Sequence, residues 1–494
     1  MSALVVRGRG LLAQSAEVVN AGLVQTPLGA LRGLVVDGVR VFRGVPFAEA
    51  PVGRLRFKPP VEVRAWGAER NATTFANAAM QDGDKEFPQS EDCLYLNVWT
   101  PEHAVGLPVL VWIHGGGFTG GESFAPIFDG TEFAQAGVVV VTVAYRLGVL
   151  GFMEMGPLLG AEFAGSGNNA LRDLICALEW VQENIAAFGG DPKRVTVGGE
   201  SAGAKLTDVL MGVPEAQGLF AQMISESGGA ERVWGKANAE AVAKGFGEVW
   251  GKSLVGLKTA SAEELIAAQE KFIASWPQHF PLRPELDGEL LRRLPVETIA
   301  AGSTRGKRLL IGTNREESAM FIGPHPVHDP TAGDLGNVSL ARFDDVFAKY
   351  KAIYPEMSEE QLRIRAVTAE EYWVPSVRVA EAQVRGGGKA WMYRLDFAPT
   401  SGRYKGDAYH SEDLGLVWDK PNTKIENAAA EASLAKPVHA AWLAFIKGEA
   451  PGANGLPVWP EYTSGARATM VFDAVSKVEE RPQEAELRLW DGVL

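Results

Sequence analysis

The stretch Arg194-Val195-Thr196-Val197-Gly198-Gly199-Glu200-Ser201-Ala202-Gly203-Ala204-Lys205-Leu206 decides how the rest of the chain is read. Its Val-Thr-Val run predicts a buried strand over 194–197. A turn of small residues follows, and 204–211 is helix-compatible until Pro214 approaches. Strand, sharp turn and helix, with G-x-S-x-G at the bend, is the setting of a nucleophile elbow. The small neighbours let the turn pack tightly while Ser201 sits at its tip. The plainer alternative is an ordinary strand–helix turn whose serine caps the helix.

Upstream, 109–113 and 138–143 are short Val-rich runs of the kind that form buried strands. The first runs into His114-Gly115-Gly116-Gly117-Phe118. A glycine run after a strand exposes backbone N–H groups, which together with the N–H of Ala202 suit a tetrahedral oxyanion. A phosphate loop is disfavoured, because neither a G-K-[ST] ending nor a G-x-G-x-x-G register is present. His114 is read as structural, since backbone does the work of such a loop.

A serine nucleophile needs a base, and the order Ser, acid, His restricts the seven histidines to those from His279 onward. His410 follows a strand-like run over 390–397, in a loop rich in Gly, Asp and Tyr. His439 opens an apolar helical run and reads as packing. The acid should follow a late strand. Leu309-Leu310-Ile311-Gly312-Thr313 is one, and Glu316 and Glu317 come directly after it. The residues alone do not choose between those two.

Around these motifs, strand-like runs alternate with helical ones, which argues for an α/β fold with a mostly parallel central sheet. A helix is expected over 167–184, with helix-rich insertions over about 236–273 and 340–384, the second stopping at Gly386-Gly387-Gly388. Turn residues crowd 24–60 and suggest hairpins. The net charge of -13 makes nucleic acid an unfavourable partner. No run reaches the roughly 20 apolar residues of a membrane span. Two cysteines, Cys93 and Cys176, make neither a disulfide framework nor a zinc motif, so no metal is expected. The start, Met-Ser-Ala-Leu-Val-Val-Arg, lacks the long apolar core of a signal peptide. A cytoplasmic protein is expected, with secretion the second option; the sequons at Asn71 and Asn337 carry meaning only in the latter.

The sequence resembles the type-B carboxylesterase and cholinesterase family, on its bacterial side. The residues from Phe188 to Gly203 resemble the family's serine signature throughout, and Glu91-Asp92-Cys93-Leu94-Tyr95-Leu96-Asn97-Val98-Trp99-Thr100-Pro101 its second signature. Family-like stretches extend from Phe42-Arg43-Gly44-Val45-Pro46 through Tyr145-Arg146-Leu147-Gly148, Ser227-Gly228 and Asp287-Gly288 to the block 406–414.

The resemblance implies an α/β-hydrolase fold with helical insertions capping the site. It implies one domain over 21–494 after a poorly ordered segment 1–20. It implies ester hydrolysis through Ser201, Glu317 and His410, with Gly116, Gly117 and Ala202 as the oxyanion hole and no cofactor. Glu200 resembles the acidic neighbour of the nucleophile, and Ser227 a buried hydroxyl behind the acid. Phe118 and Trp234 fall near the pocket, Trp234 like an acyl-pocket wall.

Two departures stand out. Ser318 replaces the glycine usual after the acid, and no tryptophan lies between Trp66 and Glu91, so choline esters are not expected. The expected partner is a small-molecule ester, met by a monomer or small homo-oligomer. Carbamate or amide hydrolysis, a non-catalytic binding protein and a lid-gated lipase are the rival readings.

Overall fold

The computed structural model describes residues 20–83, 86–326 and 328–494. The segment expected to be poorly ordered therefore lies outside the described residues, apart from Asn20, which opens the first strand. Strands β1 (Asn20–Thr26), β2 (Gly29–Val36) and β3 (Val39–Pro46) make the antiparallel hairpins that the turn residues suggest, and β4 (Tyr95–Pro101) pairs antiparallel with β3. The heart of the sheet consists of β5 (Leu107–Ile113), β6 (Val139–Val143), β7 (Gly190–Glu200), β8 (Gln222–Glu226), β9 (Arg308–Asn314), β10 (Lys389–Leu395) and β11 (Thr469–Phe472). These lie in the order β6-β5-β7-β8-β9-β10-β11, and every neighbouring pair among them is parallel. Strand β4 flanks this block on β6, and β12 (Lys477–Glu479) closes the far edge antiparallel to β11.

The central strands carry no polar alternation because both faces are covered. In β5, Val109, Val111 and Ile113 enter one apolar core while Leu110 and Trp112 enter another. Strand β6 repeats this, with Val139, Val141 and Val143 on the first side and Val140 on the second. Successive side chains point to opposite faces, so the sheet itself divides the two cores. Helices α1 (Asn169–Asn184) and α2 (Ala202–Leu210) cover the first face through Leu171, Leu174, Leu178, Leu206 and Val209.

The first insertion is helix-rich as expected and holds two helices. Helix α3 (Lys236–Trp250) stops at Gly251, which takes φ +63, and α4 (Ala262–Ser275) restarts where the Ser261 hydroxyl accepts the N–H of Glu264. The second insertion holds α5 (Leu340–Phe347), α6 (Glu359–Thr368) and α7 (Val374–Arg385), the last two joined by a π-helical turn, Ala369–Trp373. Pro375 explains the wide turn. It has no N–H to give the carbonyl of Glu371, four residues back. The ammonium of Lys205 donates to that carbonyl instead, at 3.0 Å. Helix α8 (Ala428–Ile446) lies on the second face with Val438, Trp442 and Phe445 in its core. His439 is buried there, its ring against Phe133, as the apolar run predicts.

The strand over 194–197 proves longer, because β7 runs from Gly190 to Glu200, and the helix expected at 204 begins at Ala202. Both extensions tighten the turn at Ser201. Leu309 and Leu310 are adjacent in β9, both fully buried, and belong to opposite cores. Leu309→Ala and Leu310→Ala are each expected to cost about 2–5 kcal/mol in urea denaturation. A near-neutral result for either would show that its face of the sheet is not a packed core.

Candidate active site

Ser201 stands between β7 and α2 with φ +56 and ψ −122. L-residues rarely adopt this conformation, which costs on the order of 1–3 kcal/mol. The packing beside it explains why the chain bends so sharply. A Cβ at Gly203 would lie 2.0 Å from the carbonyl oxygen of Ile113, and one at Gly199 would lie 2.4 Å from the same atom. Any side chain at either position would push the turn off the end of β5. The bend is hydrogen-bonded on both sides: Ser201 N–H donates to the Glu226 carbonyl at 2.8 Å, and Lys205 N–H donates to the Ser201 carbonyl at 2.9 Å.

The structure brings Ser201, His410 and Glu317 into one line of contacts. Ser201 Oγ is 2.8 Å from His410 Nε2, and His410 Nδ1 is 2.6 Å from Glu317 Oε2. Glu317 follows β9, and its other oxygen accepts the Ser227 hydroxyl at 2.5 Å and the Asn314 N–H at 2.7 Å. That leaves Oε2 as the acceptor for an Nδ1–H, so Nε2 of a neutral ring is free to accept the serine proton. Ser227 reaches Glu317 from the end of β8 with φ +58, its N–H held by the Gly312 carbonyl. Glu316 turns the other way: it pairs with Arg315 and accepts the Ala408 N–H, tying this loop to the histidine loop. Ser318 takes an ordinary right-handed φ of −73, so no glycine is required there.

Glu200 and His114 complete the polar surroundings. Glu200 Oε1 lies 3.1 Å from His410 Nε2 and accepts the Ser411 hydroxyl at 2.6 Å. Burial pushes the Glu200 carboxyl up to about 7, with His410 pulling it back. Burial alone would lower His410; the carboxylates of Glu200 and then Glu317 outweigh it and hold the imidazole above its ordinary value. His114 is different. Burial takes it down to about 4, its ring stacks on Tyr145, and Nδ1 lies 2.8 Å from the Gly115 carbonyl, an arrangement that is structural.

The glycine loop passes directly beside the serine. A Cβ at Gly115 would be 3.1 Å from that of Ser201. Gly116 and Gly117 take φ +114 and +62, and a side chain on Gly117 would strike the ring of Phe280. Among the described residues, the N–H groups of Gly116, Gly117 and Ala202 have no protein acceptor. Phe118 is fully buried beneath the loop with its ring against Phe152, and its carbonyl accepts the Gly148 N–H. Trp234 lies further back. Its indole donates to the Pro281 carbonyl at 2.7 Å, and Arg283 covers its ring.

Three aromatic residues at the site were not singled out in the sequence. Tyr372 from the π-helical turn and Phe321 pack on the His410 ring at 4.8 and 5.1 Å between centroids, and Phe280 meets Phe321. Their only sequence signal was the proximity of Phe321 to Glu317. Among the described residues no cluster of His, Cys, Asp or Glu could hold a metal ion, and no helix is long and apolar enough to cross a membrane.

Comparison with known proteins identifies the family. A family model described as "Carboxylesterase family" matches residues 20–490. The para-nitrobenzyl esterase of Bacillus subtilis is 36% identical over 93% of this chain and 96% of its own length. The fumonisin B1 esterase of Sphingopyxis macrogoltabida is 34% identical over 88% of this chain and 84% of its own. Among solved structures, a PNB esterase superposes with a TM-score of 0.84 at 34% identity, covering 94% of this chain and 99% of that one. A Geobacillus stearothermophilus carboxylesterase gives the same TM-score at 35% identity, over 95% and 99%. The sheet order, the strained serine at the end of β7 and a match spanning almost the whole chain lead to one conclusion: this chain has the α/β-hydrolase fold, belongs to the carboxylesterase family and is a carboxylic ester hydrolase.

Proposed function

We propose that Ser201, His410 and Glu317 are the catalytic triad of this hydrolase, with Gly116, Gly117 and Ala202 as its oxyanion hole. The observation that carries the reading is the unbroken line of contacts from Ser201 Oγ through His410 to Glu317, at 2.8 and 2.6 Å. Ser201 Oγ bonds to the ester carbonyl carbon, the carbonyl π electrons move to oxygen, and the serine proton passes to His410 Nε2. The three free N–H groups face the new oxyanion, where each is worth several kcal/mol. Collapse of the intermediate expels the alkoxide, which takes the proton from Nε2 and leaves an acyl-serine. Water then repeats the sequence, releasing the acid and restoring Ser201. Glu317 holds the ring tautomer throughout and, with Glu200, stabilises the imidazolium.

The substrates are small-molecule carboxylic esters carrying an apolar or aromatic group. The rings of Phe280, Phe321 and Tyr372 support that choice, as does the benzyl-ester name of the Bacillus relative. The chemistry draws on side chains and backbone alone, with no cofactor and no nucleic-acid partner. One continuous sheet from Asn20 to Glu479 supports a single domain, and two buried free cysteines support a cytoplasmic location. Monomer or small homo-oligomer completes the reading.

Ser201→Ala is expected to lower turnover of a short-chain p-nitrophenyl ester by roughly 10⁴–10⁶-fold and to abolish labelling by a fluorophosphonate, while Glu317→Gln loses on the order of 10⁴-fold. Labelling that survives in Ser201→Ala would place the nucleophile elsewhere. The pH dependence follows from the raised His410. The base must be neutral, so kcat/KM rises as pH climbs through the His410 pKa. Glu200→Gln removes one of the carboxylates that raise His410, so the acid limb should move to lower pH. An unmoved limb, or one displaced upward, would contradict the assignment of Glu200.

A further inference from the structure

The oxyanion loop is gripped by a residue from outside the motifs. Gln81 follows the short pairing of Ala78–Ala79 with Gln89–Ser90 and is 4% exposed. Its carboxamide meets Gly121 as a neighbouring strand would. The Gly121 N–H donates to Gln81 Oε1 at 3.0 Å, and Gln81 Nε2 donates to the Gly121 carbonyl at 2.9 Å. The same Nε2 donates to Ala79 O at 3.2 Å, and the Gln81 N–H donates to Gln89 Oε1 at 2.9 Å. Both edges of the amide are therefore used, and the side chain has no freedom to turn.

Gly121 transmits this grip to the glycine run. A Cβ at Gly121 would lie 2.3 Å from the Gly115 carbonyl oxygen and 2.5 Å from His114 Nδ1. A Cβ at Gly116 would lie 2.0 Å from the carbonyl oxygen of Gly120. Backbone thus packs on backbone from Gly115 to Gly121 with no side chain between to absorb a shift. The Gly116 carbonyl also accepts the N–H groups of Thr119 and Gly120, at 3.1 and 2.9 Å. A peptide plane whose C=O is pinned has the tilt of the next N–H, that of Gly117, pinned with it.

Other anchors hold other points of the loop. The Phe118 carbonyl accepts from Gly148, and Asn97 Nδ2 donates to the Ser123 hydroxyl at 3.3 Å. Among the described contacts, Gln81 is the side chain that engages both the N–H and the C=O of a single loop residue.

We infer that Gln81 is a positioning residue for the oxyanion hole: it fixes Gly121 and, through Gly120 and Gly116, the aim of the Gly116 and Gly117 N–H groups. The inference rests on the oxyanion reading proposed above. Only a primary amide of this length supplies both bonds. Glutamate keeps the acceptor and loses the donor, leucine loses both, and asparagine is one methylene short. Misplacing a hole donor by about 1 Å costs on the order of 100-fold in rate.

The test compares wild type, Gln81→Glu and Gln81→Leu on a p-nitrophenyl ester and against a trifluoromethyl ketone. Ser201 Oγ adds to the ketone carbon, the serine proton goes to His410, and the ketone oxygen becomes a stable oxyanion in the hole. Expected is a fall in kcat on the order of 10–100-fold. KM should stay close to wild type, ketone affinity should fall in proportion to kcat, and the acid limb of the pH profile should not move in the uncharged Gln81→Leu. Gln81→Glu, nearly isosteric, keeps the comparison available if Gln81→Leu fails to fold. Wild-type kcat in both variants, or a loss that falls on KM instead, overturns the role of Gln81 while leaving the hole itself intact. A wild type that binds the ketone no better than the matching methyl ketone removes the oxyanion reading, and this inference falls with it.

Discussion

The carbonyl oxygen of Ile113 leaves no room for a side chain at Gly199 or Gly203, and the rest of the site depends on that close approach. It draws the turn after β7 against the end of β5 and forces Ser201 into a left-handed conformation. The parallel register then does the rest. β7, β8 and β9 run side by side, so Ser201, Ser227 and Glu317, which follow their ends, arrive at one edge of the sheet. Groups that meet in the crevice beyond the carboxyl ends of parallel strands are a general outcome of open α/β sheets. Here a steric contact between two backbones sets the height at which they meet.

Charge is crowded into the same space. Glu200, Glu317 and Asp413 are buried around the His410 imidazole, and Glu226 is buried behind Asp413 and Glu200. Desolvation and mutual repulsion push Glu226 well above the ordinary carboxylate range and Asp413 to about 6. The crowd is tolerable because donors are built in: Trp442 gives its indole N–H to Glu226, Tyr393 its hydroxyl to Asp413, and Ser411 its hydroxyl to Glu200. Trp442 and Tyr393 belong to the second core, and Ser411 stands beside His410 in its loop. The electrostatics of the site are therefore held in part by the same packing that holds the sheet.

Much of this was legible in the chain and some was not, for physical reasons. Strands such as β5 and β6 betray themselves because both faces are covered, which leaves an unbroken apolar run. The elbow is legible because close packing demands small residues at fixed spacing. Glu316 and Glu317 could not be told apart from the residues alone, since either could face the sheet; only the end of β9 shows which turns inward. Phe280, Phe321 and Tyr372 looked like any core aromatics, because they come from distant segments that only the fold brings together. Pro375 is a helix interrupter by its chemistry, yet it lies inside a stretch that reads as helix throughout. That the Glu371 carbonyl it leaves unpaired would find Lys205, buried on α2, was a tertiary fact that no local pattern carries.

The backbone of Ser201 has an evolutionary consequence. Its φ of +56 is tolerable for glycine and strained for serine, so the fold would be more stable with glycine in its place. While hydrolysis is selected, the strain is kept. In any lineage released from that selection, drift to glycine at 201 would be a change that raises stability as it ends the chemistry. Loss of the nucleophile is then a downhill step for the scaffold, and a duplicated copy would reach a durable, inert binding fold with no compensating mutation elsewhere.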